Sequence, residues 1–450
     1  METELPRSLK PRHVAMIAVG GIIGAGLFVG SGAAIAAAGP AIVVSYALAG
    51  LLVILVMRML SEMAVAVPGL RSFPDFPRAG LGDWAGFLSG WLYWYFWVVA
   101  VAIEALAGAT IVHGWLPSLS VPTIGIVLMV LLIGVNLLSA RSYGEFEFWF
   151  SSLKTAAIVV FILLGAAFSL GLTSPAGPTF GNLTAHGGFA PHGVLAVLAG
   201  VTSTIFALTG AEIATVAAAE SANPAQTVRR IAGTVAARIL VFYVLSILLI
   251  VTIVPWTRIV PGVSPFTTAL DAMRIPGAVT AMNIVVLVAV LSCLNSGLYV
   301  TSRILFALAA KGDAPLGLTV LTCRGVPARA ILIGSLFSFA ALAASVLSPD
   351  RVFSFLVNAS GALMLFVYLL VAFAQLRVRN RLERTPGATM PIRMWLHPWG
   401  SIVAITGMVA VLAAMALTPA LSSQFYASLV PLAVVGLGWA LRRRSAPPAA

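Results

Sequence analysis

Glycine interrupts the first long apolar stretch of this 450-residue chain, where a membrane helix normally carries leucine, isoleucine and valine. Residues 20–32 read GGIIGAGLFVGSG, with Gly24-Ala25-Gly26 at the centre. Glycine lowers the cost of leaving helical geometry, and unwound backbone at membrane depth is tolerated only where protein or a water-filled cavity satisfies its N–H and C=O groups. The spacing therefore predicts a cavity at membrane depth that holds a small polar solute.

A second interruption lies in the sixth apolar segment, at residues 204–212, which read TIFALTGAE. Paired interruptions at matching places in two halves of a membrane protein are typical of secondary transporters, which bind their cargo between the broken helices. The alternative is that Gly20, Gly24 and Ser31 only allow helices to pack closely. The matching second interruption favours a carrier over packing alone.

Three ionisable residues in apolar segments are candidates for proton chemistry. Lys154 lies several residues inside the fifth segment, and an ionisable group at that depth is a functional hypothesis by default. Because burial disfavours the charged amine, opening and closing a path for water would load and unload a proton. The alternative is a lysine that extends to the cytoplasmic interface. Glu104 and Glu212 are candidates for polar lining, proton exchange or structural hydrogen bonding.

The composition requires that lipid surround the elements that position these residues. Hydrophobic residues make up 60% of the chain and charged residues 9%, against about 25% charged in a soluble domain. A spanning helix needs about 20 mostly apolar residues. The predicted fold is an all-α polytopic membrane protein with twelve transmembrane segments, at 14–37, 41–66, 84–115, 121–139, 148–172, 193–219, 237–256, 277–309, 329–347, 353–376, 399–418 and 423–441.

Basic residues predict the orientation of these segments. Most of the 26 lysines and arginines fall in alternate short connections and at both ends of the chain. By the positive-inside rule both termini face the cytoplasm. Because the bases are spread over short loops rather than gathered on one face, the net charge of +12 does not indicate a nucleic-acid partner.

Connections between segments are too short for an independent core, so we expect no soluble domain. No nucleotide, metal or zincin motif is present, and Cys293 and Cys323 are predicted to be free thiols. We therefore expect no cofactor, no metal site and no enzyme. The predicted parts of the chain are a cytoplasmic N-terminus (1–13), a first repeat (14–172), an inverted second repeat (193–376), a final helix pair (399–441) and a cytoplasmic tail (442–450).

Several motifs, in order along nearly the whole chain, carry a family resemblance. They include Gly24-Ala25-Gly26-Leu27-Phe28, Gly144-Glu145-Phe146-Glu147-Phe148-Trp149 and Ser292-Cys293-Leu294-Asn295-Ser296. The chain resembles amino acid permeases of the amino acid-polyamine-organocation (APC) superfamily, and within it the branch of bacterial 4-aminobutyrate (GABA) permeases. The resemblance implies a 5+5 inverted-repeat fold with the first and sixth helices discontinuous, in the bacterial inner membrane.

The resemblance also implies the roles of the site residues. The N–H groups of Gly24, Ala25 and Gly26 would open the second half of the first helix, where free donors and the positive dipole end suit a carboxylate. Carbonyls freed by unwinding would accept from the substrate ammonium, and Phe206 would cover the site. Lys154 would be the proton-coupling lysine. The remaining expected substrate contacts are Ile22, Ala207, Thr209, Asn295, Ser296 and Gly297.

The function that follows is proton-coupled import of an amino acid by alternating access, with GABA as the expected substrate. A permease for proline, aromatic or other neutral α-amino acids is the alternative. A sensor or a channel built on the same fold is the alternative from another class. The sequence leaves symport against exchange, stoichiometry and the oligomeric state open.

Overall fold

The computed structural model describes residues 23–67, 69–70, 72–138, 140–210, 212, 239–344, 346, 349–386 and 390–445. Every regular element within these ranges is a helix. Two short π-helical stretches, Gly26–Gly30 and Ile239–Leu245, lead directly into the α-helices that follow them. The α-helices are α1 (Ser31–Ala38), α2 (Ile42–Ala66), α3 (Asp75–Leu81), α4 (Asp83–Trp115), α5 (Val121–Leu138), α6 (Ala140–Ser169), α7 (Gly193–Leu208), α8 (Ser246–Ile253), α9 (Pro265–Ala272), α10 (Ala278–Ala310), α11 (Ala328–Ala344), α12 (Pro349–Glu383), α13 (Trp399–Leu417) and α14 (Pro419–Ser445).

Each of the twelve predicted segments contains one of these helices. By length and composition, eight helical stretches among the described residues can cross a bilayer, and α7, α11 and Val241–Ile253 are shorter apolar helices. One of the eight, Gly26–Ala66, holds the first two predicted segments, which a turn at Gly39–Ala41 separates. Gly39 has φ +66°, a conformation that favours glycine. Twelve crossings remain a prediction.

Some helices run past the bounds of the predicted segments. α6 begins at Ala140 rather than at 148, and α12 runs over Pro349–Glu383 rather than 353–376. Hydropathy marks the part of a helix that lipid surrounds, whereas a helix continues into water while its backbone bonds and polar side chains support it. Two connections predicted as loops contain the short helices α3 and α9 for the same reason.

The core of the bundle is built around α4, whose spanning part is mostly buried. α4 packs along α10 and also contacts α5, α11 and α12, while α7 packs against α2 and α12. The ring of Phe266 packs at a tilt against those of Phe28 and Phe161, with centroids 4.9 and 4.7 Å apart. α14 is almost entirely exposed on the periphery. The break-bearing segments at Gly26–Gly30 and Leu208 therefore lie inside the bundle.

One end of the bundle is closed by an ion cluster around Asp313, just after α10. The buried carboxylate of Asp313 binds Arg78 of α3 and Arg442 of α14. Arg78 also pairs with Asp83 at 3.0 Å, and Lys311 pairs with Asp75. These contacts tie α3 and α14, which are far apart in the sequence, to the end of α10.

Replacing Asp313 by alanine should lower stability, because two arginines lose a shared buried acceptor. Hydrogen bonds to charged groups contribute about 1.5–3 kcal/mol, and the partial exposure of both arginines places the expected loss near the lower limit, at about 1.5 kcal/mol. Thermal unfolding of the purified protein measures it. Asp83→Ala is the matched control, since the Asp83 side chain is 72% exposed and its removal should leave the unfolding temperature unchanged. An equal effect of both substitutions on the unfolding temperature would contradict the role of Asp313 as a shared acceptor that stabilises the bundle.

Candidate functional site

The site is built from the start of the Gly26–Gly30 stretch. Gly24 precedes it in a bend, and the Gly24 carbonyl accepts from the N–H groups of Leu27 and Phe28 at 3.2 and 3.1 Å. A Cβ atom on Gly26 would lie 2.6 Å from the Cα atom of Ala207, so glycine at 26 allows this segment to touch α7. The two interrupted segments therefore meet at Gly26 and Ala207, as the paired glycine breaks predict.

The end of α7 forms the second side of the site. The helix ends at Leu208, Thr209 is extended (φ −66°, ψ 142°), and Gly210 has φ +114°, which glycine adopts without strain. The carbonyl of Phe206 accepts the N–H of Thr209 at 3.2 Å, and the carbonyl of Ala207 accepts the Tyr243 hydroxyl at 3.1 Å. Phe206 is buried with its ring 5.9 Å from that of Phe96. Residues 213–238 lie outside the described part, so a second half of this helix remains a prediction.

Lys154 of α6 lies at the centre of the bundle. Its side chain is 0% exposed, and its ammonium donates to the carbonyl of Ile23 and to Ser292 Oγ, both at 3.0 Å. Cys293 Sγ is 4.0 Å from Nζ and donates to the same Ile23 carbonyl at 3.3 Å. The ammonium thus points at the backbone just before the glycine break and does not extend to an interface. Ile22, whose carbonyl was expected to be free, lies outside the described residues.

Glu147 is a buried partner of Lys154 that the sequence analysis assigned no role. Its Oε1 atom is 3.8 Å from Lys154 Nζ, and both residues are 0% exposed. Three hydroxyl groups donate to the carboxylate, those of Ser151 at 3.0 Å, Ser292 at 2.7–2.8 Å and Ser296 at 3.2 Å. The spacing could have revealed the pair, because residues seven apart lie two turns apart on the same helix face. Lys154 and Glu147 therefore form an ion pair within α6, which hydrogen bonds to Ser292 and Ser296 connect to α10.

Glu104 of α4 lies on the other side of the glycine break. The N–H of Ala25 donates to both of its carboxylate oxygens, at 3.1 and 3.0 Å. A Cβ atom on Gly24 would lie 2.6 Å from Glu104 Oε1 and 2.5 Å from Cys293 Sγ. The missing side chain at 24 thus makes room for a carboxylate and a thiol. A backbone donor predicted to bind a carboxylate does bind one here, and that carboxylate belongs to the protein.

Glu212 is held in a separate buried cluster. The hydroxyls of Tyr93 and Tyr368 donate to its two oxygens at 2.9 and 3.1 Å, and the N–H of Gly210 donates to both at 3.2 and 3.1 Å. The cluster ties the end of α7 to α4 and α12. Glu62 forms another such cluster, with Arg379 at 2.7 Å, Gln375 at 2.8 Å and the N–H of Met394. Among the described residues, no group of three His, Cys, Asp or Glu is placed to hold a metal ion.

The three predicted contacts on α10 face three different neighbours. Asn295 accepts from the Asn136 amide of α5 at 2.7 Å, and Ser296 donates to Glu147. A Cβ atom on Gly297 would lie 2.7 Å from Val101 of α4, so this glycine allows α4 and α10 to pack closely. Lys154, Glu104 and the segment 24–26 are brought together, whereas Glu212 is held apart and Asn295 bonds toward α5.

Comparisons with known proteins agree with this architecture. The sequence model of the family described as "Amino acid permease" matches residues 13–448. The chain is 44% identical to the gamma-aminobutyric acid permease of Bacillus subtilis, over 98% of this chain and 95% of that protein. It is 43% identical to the gamma-aminobutyric acid permease of Escherichia coli, over 93% and 90% of the two chains.

A more distant relative is an aromatic amino acid transport protein of Corynebacterium glutamicum, 37% identical over 94% of this chain and 92% of that protein. The relatives of both kinds are similar to this chain over almost their full lengths. This chain therefore belongs to the amino acid permease family of membrane transporters, within the APC superfamily.

Proposed function

We propose that the chain imports GABA across the bacterial inner membrane by proton-coupled alternating access. The observation that carries the proposal is the backbone N–H of Ala25, which at the centre of the bundle already holds a carboxylate. Every amino acid substrate also carries a carboxylate, which can bind this N–H. The two relatives named as gamma-aminobutyric acid permeases, at 43–44% identity over nearly the whole chain, support GABA as the substrate.

The proposed architecture has twelve membrane crossings with both termini in the cytoplasm. Residues 14–172 and 193–376 form inverted repeats, 399–441 form the last two helices, and the helices that contain Gly24 and Gly210 are discontinuous. The contact of Gly26 with Ala207 supports this arrangement, because the broken helices of the two repeats meet at the substrate site in such transporters.

In the proposed site the substrate carboxylate binds the N–H groups of Gly24, Ala25 and Gly26, where the start of a helix favours negative charge. The ammonium group binds the carbonyls of Ile22, Phe206 and Thr209. Ala207, Asn295, Ser296 and Gly297 border the site, and the buried ring of Phe206 closes it. Movement of the end of α7 then exposes the site to one side of the membrane or the other.

Lys154 is the proposed link between proton binding and conformation, and Glu104 and Glu212 are the other proposed proton-coupling residues. A protonated Lys154 donates to the Ile23 carbonyl and so fixes the backbone that leads into the glycine break. Loss of the proton removes one donor from that carbonyl and frees the segment to move. The Glu147 carboxylate lies 3.8 Å from the Lys154 ammonium.

Uptake of labelled GABA into proteoliposomes that hold the purified protein tests the proposal. With an inward proton gradient we expect accumulation that an uncoupler and excess unlabelled GABA both abolish. No accumulation of labelled GABA, together with accumulation of a labelled aromatic or other neutral α-amino acid, would move the substrate to that class, which the Corynebacterium relative favours. Binding without flux would indicate a sensor, and ion conductance far above carrier turnover would indicate a channel.

A further inference from the structure

The protein's own carboxylate occupies part of the proposed substrate site. Glu104 is 7% exposed, and both of its oxygens accept the N–H of Ala25. The space that Gly24 leaves open is filled by this carboxylate and by Cys293. A substrate carboxylate cannot take the Ala25 donor while Glu104 holds it, because one N–H cannot serve two anions in the same place.

We propose that the Glu104 carboxylate competes with the substrate carboxylate for the N–H of Ala25. Glu104 accepts this N–H when no substrate is bound and releases it when Glu104 is protonated. The proposal rests on the proposed function, because it needs a substrate carboxylate at the same donor. The exchange is balanced. A proton from water converts the Glu104 carboxylate to a neutral acid, its bonds from Ala25 lengthen, and the substrate carboxylate accepts that N–H. Release to the cytoplasm reverses each step.

Charge balance gives the physical reason for the exchange. The titratable groups that interact with Glu104 among the described residues are Lys154 on α6, Cys293 on α10 and Tyr243 ahead of α8. Lys154 is the single base in this set, and it already pairs with Glu147. A second free carboxylate beside Glu104 would add negative charge in a poorly solvated site, which is costly. Protonation of Glu104 as the substrate binds leaves the charge near Lys154 unchanged.

Lys154 and Glu104 link proton binding to two different events. Lys154 links proton binding to the position of the backbone at Ile23, whereas Glu104 links proton binding to occupation of the substrate site. A carrier that binds substrate only with a proton needs the second linkage, since otherwise substrate would cross alone. Two competing interpretations of Glu104 are a permanent structural cap on Ala25 and a direct partner of the substrate ammonium.

Calorimetric titration of the purified full-length protein with GABA tests the proposal. Repeating each titration in buffers of different ionisation enthalpy gives the number of protons taken up. Repeating it from pH 6 to pH 9 gives the dependence of Kd on pH. In the range where Glu104 is ionised, the wild type should take up about one proton per GABA, and its Kd should rise about tenfold per pH unit.

Glu104→Gln places a neutral group of the same shape at the site. This variant should take up no proton, and its Kd should not change with pH, so that at pH 9 it binds GABA at least about tenfold more tightly than the wild type. Asp271→Asn is the matched control, because Asp271 is exposed at the end of α9, and it should behave as the wild type does.

Three results would overturn the proposal. Binding by the wild type without proton uptake does so whether or not the variant folds. Undiminished proton uptake by Glu104→Gln would assign the proton to another group. GABA binding by Glu104→Gln that is weakened equally at every pH would make Glu104 a partner of the substrate ammonium or a structural cap on Ala25. If GABA gives no heat, the proposed substrate is wrong. The same titration with the amino acid that does bind then tests Glu104, since every such substrate carries the carboxylate.

Discussion

Replacing Lys154 by alanine is expected to abolish proton-driven accumulation of substrate. Uptake by this variant should only equilibrate the substrate across the membrane. The substitution removes one of the two donors to the Ile23 carbonyl and, among the described residues, the base that faces Glu147 and Glu104. Glu104 still accepts from Ala25, but proton binding no longer fixes the backbone at Ile23. Uptake in proteoliposomes with and without a proton gradient measures the effect.

Loss of function through unfolding has to be separated from loss of coupling. Removing one member of a buried ion pair costs about 3–5 kcal/mol, because the other charge is left without a partner. The double variant Lys154→Met with Glu147→Gln removes both charges and should recover stability without recovering coupling. Arg258→Ala, which removes an exposed base from the connection between α8 and α9, is the control for charge alone. Accumulation that persists in Lys154→Ala would remove Lys154 from the mechanism.

Gly361→Ala is expected to give the largest loss of stability among single-methyl additions. A Cβ atom on Gly361 of α12 would lie 1.9 Å from the carbonyl oxygen of Thr202 on α7. Because the obstacle is backbone, α7 and α12 must separate, and the cost should reach or exceed the ~3 kcal/mol upper end of the usual range for overpacking. Since α7 ends at the site, exchange of substrate should fall together with stability.

Gly436→Ala is the matched control for this prediction. Gly436 lies in α14, and no other atom lies within 4 Å of the position that its Cβ would take. Alanine is favoured over glycine by about 0.5–1 kcal/mol inside a helix, so this variant should be as stable as the wild type or more so. Equal thermal stability of the two alanine variants would show that α7 and α12 are not held together at Gly361.

The sequence predicted the positions of the helices well because lipid imposes a simple rule. A run of about 20 apolar residues is long enough to span and has few other uses, so each of the twelve runs contains a helix. Helices α6 and α12 run past the predicted spanning segments by several residues at one or both ends, because a helix can continue beyond the apolar run. The glycine-rich segments were expected to meet, and the close approach of Gly26 to Ala207 needs a residue without a side chain at 26.

Side-chain partners were much harder to predict. The burial of Lys154 follows from its depth in an apolar segment, and the spacing of Glu147 on the same helix could have predicted its pairing. The partners of Glu62 could not have been found in this way, because Glu62 and Arg379 are 317 residues apart and meet only through packing of α2 with α12. Glu104 was a candidate for its depth alone, and its bond to Ala25 depends on how α4 crosses the start of the broken helix.

The central claim, that GABA and protons enter together, is tested most directly by following both in one preparation. Proteoliposomes that contain the protein and a pH-sensitive dye in the lumen receive GABA without an imposed gradient. The account predicts that the lumen acidifies as labelled GABA enters with the wild-type protein. In Lys154→Ala, GABA should only equilibrate and the lumen should not acidify, and with the wild type an uncoupler should remove the pH change alone. Entry of GABA through the wild-type protein with no acidification of the lumen would contradict the account.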